Sequence, residues 1–323
     1  MRAGPASVAF GFRPPFVPPV IAKLRSQVPD AWQFFIAPAV AAVLPWKLAY
    51  RWLRWLSRSR SAFDEPARAA AASAPNYLPI ADANEFAANV RLNCLWDTAD
   101  LYLSLLRRRR GRLPWHVQQV GAWPRDSHFI AAGFHHGHGH WVFKTLAQAG
   151  FDASLVSARW DRADYPGLPL RYWYGRLRGG DVERLSGRPV VFRPGAKAKL
   201  ARALDDGAAV VSVLDMPPRM APRGQKPVRL LDQDASFPDG TLGLAVAAGV
   251  PVVPYWMEFD LDSGVRRFVI GEPLDPSDPA TLQKLADILD RAIRLTPSAW
   301  FFWPEWPRWI TDAPDATRQP AAD

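Results

Sequence analysis

Four of the chain's six histidines lie within one run of eight residues, FHHGHGHW at 134–141. The run follows HFIAAGF (128–134), an apolar stretch that predicts a buried strand. Open α/β sheets place their sites beyond the carboxyl ends of such strands. The two glycines of the run would let its backbone approach a ligand closely. A histidine here could remove a proton from a hydroxyl nucleophile, given a partner that fixes its tautomer and stabilises the imidazolium.

Two other interpretations of the histidine run are open. It could form a metal site, because His-rich tracts bind metals and His136 and His140 would share one face of a helix. It could also be a polar turn whose histidines cap the following helix. Spacing alone does not choose among the three. The single cysteine, Cys94, excludes an internal disulfide framework and a cysteine-based zinc site.

The surrounding sequence alternates short apolar runs with stretches of helical periodicity. Strands are predicted at 128–134, 151–158, 208–215, 250–259 and 268–274, and helices at 87–106, 197–206, 241–248 and 279–295. Residues 61–80, rich in Ala, Pro and Ser, are predicted to form a connection. This alternation predicts an α/β fold with a single mixed sheet and helices on both faces, preceded by an N-terminal membrane-associating helical segment.

The positive charge of the chain is concentrated at its N-terminus. Of a formal net charge of +9 over 323 residues, residues 1–60 contribute nine Lys or Arg against one acid. The uncharged run at 31–46 is shorter than the ~20 apolar residues of a spanning helix. Residues 47–60 interleave Trp and Leu with Arg, which is typical of a helix lying on an anionic, cytoplasmic membrane face. The alternative is a Trp-rich helix docked on the protein's own core.

These patterns divide the chain into three parts. We expect a basic, aromatic membrane-associating segment at 1–60, an α/β domain at 61–310 and a disordered tail at 311–323. Near the end of the domain, four tryptophans recur every third residue: Trp300, Trp303, Trp306 and Trp309. Pro304 and Pro307 argue against a regular helix there, so the rings would line one face of an extended segment. That face would contact acyl chains or lipid, or pack on the protein body.

Five blocks of the sequence resemble, in order, those of the lysophospholipid acyltransferase superfamily, in the branch of the late lipid A acyltransferases. The first, 133–151, resembles a block of the form His-Phe-Gly-Asn-Trp-Glu followed by a helix and a Gly-aromatic turn, with His135 at the catalytic position and Gly137 at the motif glycine. The others lie at 171–185, 199–215, 236–256 and 293–309. The resemblance covers about residues 30–310, so it implies that the domain at 61–310 is acyltransferase-like.

One residue departs from the family motif. The motif places an Asp or Glu five residues after the catalytic histidine, where it orients and supports the base, and this chain has His140 there. A neutral His140 could accept a hydrogen bond from His135 but offers no negative charge. A carboxylate could instead come from elsewhere, with Asp215 and Asp161 as candidates. Otherwise the reaction needs a weaker base, or catalysis is impaired.

The resemblance implies transfer of a fatty acyl group from acyl carrier protein or coenzyme A to a hydroxyl of a lipid or glycolipid. The residues it implies are His135 and His140 for catalysis, and Gly137, Arg171, Arg176, Arg178 and Asp215 for substrate binding. The arginines would hold phosphate. We expect no metal or redox cofactor, no nucleic acid partner, and a monomer on the cytoplasmic face of the inner membrane. The alternatives are a catalytically impaired lipid-binding relative and a metal-dependent hydrolase that uses the histidine cluster.

Overall fold

The computed structural model describes residues 27–106, 113–125, 128–137, 139–158, 161–193 and 195–312. His138, most of the predicted tail and the first 26 residues of the predicted membrane-associating segment lie outside the described residues. Within the described part of the chain, no helix has both the length and the apolar character that crossing a membrane requires.

A large sheet forms the centre of the fold. The strands are β1 (Val117–Val120), β2 (Ile130–Gly133), β3 (Ala153–Ser157), β4 (Val191–Phe192), β5 (Ala209–Val213), β6 (Gln225–Leu230), β7 (Gln233–Pro238), β8 (Val252–Phe259) and β9 (Arg266–Ile270). Among the described residues, seven of them form one sheet in the order β1-β9-β8-β2-β5-β3-β4. Neighbours run parallel except β8 and β9, which are antiparallel. The strand order and the strand directions confirm the predicted α/β fold with a mixed sheet.

Helices cover both faces of the sheet. They are α1 (Ala37–Val43), α2 (Trp46–Arg58), α3 (Asp64–Ser73), α4 (Ala83–Leu106), α5 (Val142–Gln148), α6 (Pro169–Ser186), α7 (Ala196–Asp205), α8 (Gly240–Ala248), α9 (Thr281–Leu295) and α10 (Trp306–Asp312). Side chains of a strand alternate between faces, so Ile130 of β2 lies in one core, with α3, α7 and α9. Ala131 lies in the other, with α1, α2 and α5. Helix α4 contributes to both cores.

A buried ion pair ties α4 to the sheet and to the turn after the histidine run. The Arg266 Nη2 of β9 donates to Asp100 Oδ1 of α4 at 2.8 Å, and Trp141 Nε1 donates to Asp100 Oδ2 at 2.7 Å. The Arg266 guanidinium lies 4.6 Å from the Trp96 ring centroid. Because all these side chains are buried, removing one member would leave an uncompensated charge or donor. The network therefore fixes Trp141, the last residue of the histidine run.

Two predictions of local structure are wrong. Residues 61–80 are not a simple connection, since α3 occupies Asp64–Ser73; its alanines are strong helix formers. The sheet is also not single, because β6 and β7 form a separate antiparallel pair. Their two-residue loop is Leu231-Asp232, both with positive φ. Such loops usually carry Gly or Asn, so Leu231-Asp232 is not recognisable as a turn from its residue types.

The C-terminal tryptophans do not form an extended stripe. Trp306–Asp312 is helix α10, and Pro307 lies in its first turn, where no backbone N–H is needed. All four tryptophans are buried. The Trp300 ring centroid lies 5.0 Å from that of Trp303, 5.3 Å from that of Trp306 and 6.1 Å from that of Trp309. These rings pack on the protein body and on one another.

Candidate active site

His135 and Asp215 follow two neighbouring parallel strands at the same edge of the sheet. Gly133, the last residue of β2, pairs in register with Val213, the last residue of β5. Each candidate side chain lies two residues beyond that paired position. Because parallel strands end at one edge, the register itself brings the two residues together.

The Asp215 carboxylate is fully buried and accepts three hydrogen bonds. Its Oδ1 accepts from the backbone N–H of His135 at 2.8 Å and lies 2.9 Å from His135 Nδ1. Its Oδ2 accepts from Trp300 Nε1 at 3.0 Å. Both oxygens are therefore fixed, and the carboxylate holds the His135 ring in one orientation. We call His135 and Asp215 the candidate pair.

The candidate pair has the geometry of a general base. A carboxylate at Nδ1 favours the tautomer with its proton on that nitrogen, which leaves the Nε2 lone pair available. The His135 side chain is 35% exposed, and no hydrogen-bond partner of Nε2 is found among the described residues. The Phe302 ring packs edge-on against the imidazole, with the centroids 4.6 Å apart. Nε2 can therefore accept a proton from a bound hydroxyl or water.

The backbone around His135 is held against the segment that carries Trp300. Phe301 N donates to His135 O at 3.0 Å, and Gly137 N donates to Ala299 O at 2.8 Å. Gly137 has φ +71°, and a Cβ there would lie 2.3 Å from Cζ of Phe259. Only glycine fits this position without strain. Gly137 therefore has a steric role in the turn, and its predicted role in substrate binding stays a prediction.

His140 has a different partner from the one considered in the sequence. Its Nε2 lies 2.7 Å from Asp181 Oδ2, and both side chains are buried. Burial raises the pKa of this carboxyl, but hydrogen bonds from His140, Ser104 and Arg184 outweigh it and lower the pKa to about 2. The considered hydrogen bond from His135 to His140 is not formed, because Asp215 occupies Nδ1 of His135.

The other candidates for a supporting or metal-binding group lie elsewhere. Asp161 is exposed and forms a capping box with Asp164. His136 is buried, with Nε2 3.2 Å from the Thr296 carbonyl oxygen. Over the described residues, no three His, Cys, Asp or Glu side chains come close enough to hold a metal ion together.

Two of the three candidate arginines bind carboxylates of the chain itself. Arg178 forms a bidentate pair with Asp97, at 2.6 and 3.0 Å. Arg171 Nε donates to Asp30 Oδ2 at 3.0 Å. Arg176 is exposed, and the described residues offer it no hydrogen bond or ion pair. None of the three bonds to the candidate pair, so the structure does not bring these arginines to His135.

A buried tyrosine packs beneath the carboxyl end of β2. A Cβ at Gly133 would lie 2.4 Å from Cζ of Tyr255, so the phenol ring fills the space that a side chain there would need. Burial raises the pKa of Tyr255, and the nearby charge of Asp215 raises it further. The phenol therefore stays protonated at neutral pH.

The sequence did not indicate two residues that shape this region. Trp300 was grouped with a periodic tryptophan stripe, and nothing in that spacing distinguishes the one indole that reaches Asp215. Asp181 lies in the middle of α6, 41 residues from His140, and no local motif connects them. Asp215 carried a readable signal, since it follows a predicted buried strand, as His135 does.

Comparisons with known proteins give a likeness to solved structures but none to a family model or a curated protein. No protein-family model matches the chain, and no curated protein does. A solved structure that resembles it is the 1-acyl-sn-glycerophosphate (LPA) acyltransferase PlsC from Thermotoga maritima, with 15% identity over 76% of this chain and 93% of that chain. The TM-score is 0.32. At that score the two chains superpose only loosely, so the α/β assignment rests on the strand order and register described above.

Proposed function

We propose that this protein is a membrane-associated O-acyltransferase that moves a fatty acyl group from an acyl thioester to a hydroxyl of a lipid or glycolipid. The observation that carries the proposal is the candidate pair. A fully buried carboxylate binds Nδ1 of His135, whose side chain is 35% exposed at the carboxyl edge of the parallel strands β2 and β5, and Nε2 has no hydrogen-bond partner among the described residues. This is the arrangement that general-base activation of a hydroxyl requires.

In the proposed reaction, Nε2 of His135 takes the proton of the acceptor hydroxyl as its oxygen attacks the thioester carbonyl. The tetrahedral intermediate then collapses, the carbon–sulfur bond breaks, and the imidazolium returns the proton to the departing thiolate. Asp215 remains ionised and stabilises the imidazolium between the two steps. The products are an ester and a free thiol, and neither step needs a metal or a redox cofactor.

The sequence resemblance supports the same reaction. His135 occupies the motif position of the catalytic base, and Asp215 supplies the carboxylate that this chain lacks at residue 140. On this proposal the protein is a relative of the late lipid A acyltransferases in which the supporting acid follows strand β5 instead of lying five residues after the base. Acyl carrier protein or coenzyme A is the donor, and the exposed Arg176 is the arginine best able to meet a phosphate.

The N-terminal helices support membrane association. Their exposed large apolar side chains are Val28, Ile36, Val40, Val43, Leu48 and Trp55. Lys47 and Arg51 of α2 are exposed beside them, and cations beside aliphatic and aromatic residues suit an anionic membrane surface. We propose that a monomer docks by this face on the cytoplasmic side of the inner membrane.

Transfer of a labelled acyl group tests the proposal. The donor is acyl carrier protein or coenzyme A that carries a labelled acyl group. Membranes with the native chain or with His135→Ala are incubated with this donor and a total lipid extract. We expect a labelled lipid ester only with the native chain. Release of the label as free fatty acid would indicate a hydrolase instead. No turnover of either thioester by folded protein, with lipid binding retained in His135→Ala, would indicate a lipid-binding relative.

A further inference from the structure

An arginine-lined cleft lies apart from the candidate pair. It has a volume of about 740 Å³ and runs between the C-terminal end of α2, helix α3 and the first half of α4. None of its lining residues belongs to the candidate pair or to the residues that contact it. The arginines that line it are Arg54, Arg58, Arg60, Arg68 and Arg91. We call this the arginine cleft.

The arginine cleft holds more positive charge than its own carboxylates balance. Its lining acids are Asp64 and Glu85. Asp64 is shared, since one oxygen accepts from Arg68 Nε at 2.9 Å and the other lies 3.4 Å from Arg91 Nη1. Five arginines and two acids thus line the cleft, and one of the acids is already shared between two arginines.

Two of these arginines are available to a ligand. Arg58 and Arg60 are exposed, and neither has a hydrogen bond or an ion pair within the described part of the chain. Arg54 has only a 4.0 Å approach to the fully exposed Asp262. Guanidinium groups are planar forks that bind tetrahedral oxyanions in bidentate fashion, so this cluster is suited to an anion.

The deepest arginine of the cleft is held rigidly. The Arg91 side chain is 7% exposed, and its Nε donates to the Ser57 carbonyl oxygen at 2.6 Å. Burial lowers the pKa of Arg91, and the nearby charge of Arg60 lowers it further, against the opposing effect of Asp64. An anion bound between Arg91 and Arg60 would relieve this repulsion. The cleft thus combines a buried, hydrogen-bonded arginine with the exposed Arg58 and Arg60, an arrangement suited to binding an anion.

We propose that the arginine cleft binds the phosphate group of a phosphorylated ligand at a site separate from the candidate active site. The volume exceeds what a phosphate ion alone would fill, and part of the lining is apolar: Ala71, Ala72, Ala87, Ala88 and Leu92. The ligand therefore carries its phosphate on a larger body. Either a phospholipid headgroup or a soluble phosphorylated molecule has this chemistry.

Binding by charge-removal variants of the full chain tests the proposal without reference to acyl transfer. The cleft variant is Arg58→Gln with Arg60→Gln, both exposed and unpaired within the described residues, so folding should be unaffected. The control is Lys199→Gln with Arg202→Gln, which removes the same charge from exposed positions of α7, outside the cleft and outside the proposed membrane-docking face. Circular dichroism and thermal melting verify that both variants fold.

Two binding measurements separate the sources of phosphate. One titrates inorganic phosphate by calorimetry; the other measures sedimentation with vesicles of phosphatidylcholine, with and without phosphatidic acid. We expect the cleft variant to bind about tenfold more weakly, as loss of hydrogen bonds to a charged group predicts, and the control to stay within about twofold.

The pattern of losses identifies the source of the phosphate. A selective loss with vesicles alone identifies a lipid headgroup, and a selective loss with inorganic phosphate identifies a soluble ligand. Equal losses in both variants, or none in either measurement, would overturn the proposal.

Discussion

At the scale of single residues, the account depends on which carboxylate supports His135. Residue 140 cannot, because His140 is bound to the buried Asp181. Asp215 supports His135 in two ways, through its ring and through its backbone N–H, while Trp300 holds the second carboxylate oxygen. The sequence names both Asp215 and Asp161 as candidates, and it favours Asp215 only because this residue follows a predicted buried strand, as His135 does. The register of β2 on β5 brings Asp215 to His135, and strand register is not readable from these short apolar runs.

The indole N–H of Trp300 is expected to act on catalysis through Asp215. Trp300→Phe removes the donor to Oδ2 and frees the carboxylate to rotate away from His135. We predict a fall of about tenfold in kcat with little change in KM, since a hydrogen bond to a charged group contributes about 1.5–3 kcal/mol. Steady-state kinetics of acyl transfer measure the effect.

Trp303→Phe is the matched control for this prediction. Its Nε1 donates to the Pro297 carbonyl oxygen, so the substitution has the same chemistry in the same buried cluster but does not touch Asp215. Its stability loss should be comparable and its kcat unchanged. Equal losses of kcat in the two variants would mean that Trp300 has only a packing role.

At the scale of elements, apolar runs bounded by glycine predicted most of the large sheet. The strands at 128–134, 151–158 and 208–215 correspond to β2, β3 and β5. The strands that the sequence did not predict have physical reasons. Strands β1 and β4 have only four and two residues, and the β6–β7 loop uses Leu231 in a left-handed conformation. Helix α3 was missed because its Ala-, Pro- and Ser-rich surroundings resemble a linker.

In the turn between β2 and α5, we expect position 137 to require glycine and position 139 to tolerate alanine. Gly137→Ala places a methyl group against Phe259 at a positive φ. We predict a loss of about 1–3 kcal/mol in the free energy of unfolding, with loss of activity, because residues 135–137 are hydrogen-bonded to 299–301. Chemical denaturation measures the stability.

Gly139→Ala provides the comparison. A Cβ at Gly139 would meet no atom within 4 Å, so this variant should unfold within about 0.5 kcal/mol of the native protein, as surface substitutions usually do. If both variants were equally stable, the packing of Gly137 on Phe259 would not be a constraint on the turn.

At the scale of the whole molecule, the N-terminal helices belong to the hydrophobic core and also present an apolar exterior. Ala37, Trp46 and Leu53 are buried with α4 in one core, while Val43 and Trp55 are 70% and 66% exposed. The sequence therefore offered two interpretations, docking on the core and lying on a membrane, and the two faces of these helices accommodate both. Composition alone does not show which side chains of these helices face the core and which face outward, because that depends on how the helices pack.

Membrane binding is expected to depend on the exposed apolar face. Val43→Ser with Trp55→Ser removes two exposed apolar side chains, each worth ~1.5–3 kcal/mol if fully buried in lipid. We predict at least about tenfold weaker partitioning into vesicles that contain anionic lipid. Sedimentation with the vesicles measures the effect. The control is Leu295→Ser, which should bind like the native chain. It alters a side chain that is 73% exposed at the end of α9. Equal binding by all three proteins would place the membrane contact elsewhere.

The most direct test of the central claim compares two aspartates in the acyl-transfer assay. Asp215→Asn keeps the size of the side chain but removes the charge beside His135, and in a serine-protease triad the equivalent change lowers kcat by ~10⁴. The account predicts a fall of about 10³- to 10⁴-fold in Asp215→Asn, and at most about tenfold per folded molecule in Asp181→Asn, the partner of His140. The reverse order, with Asp215→Asn nearly active and Asp181→Asn inactive though folded, would contradict it.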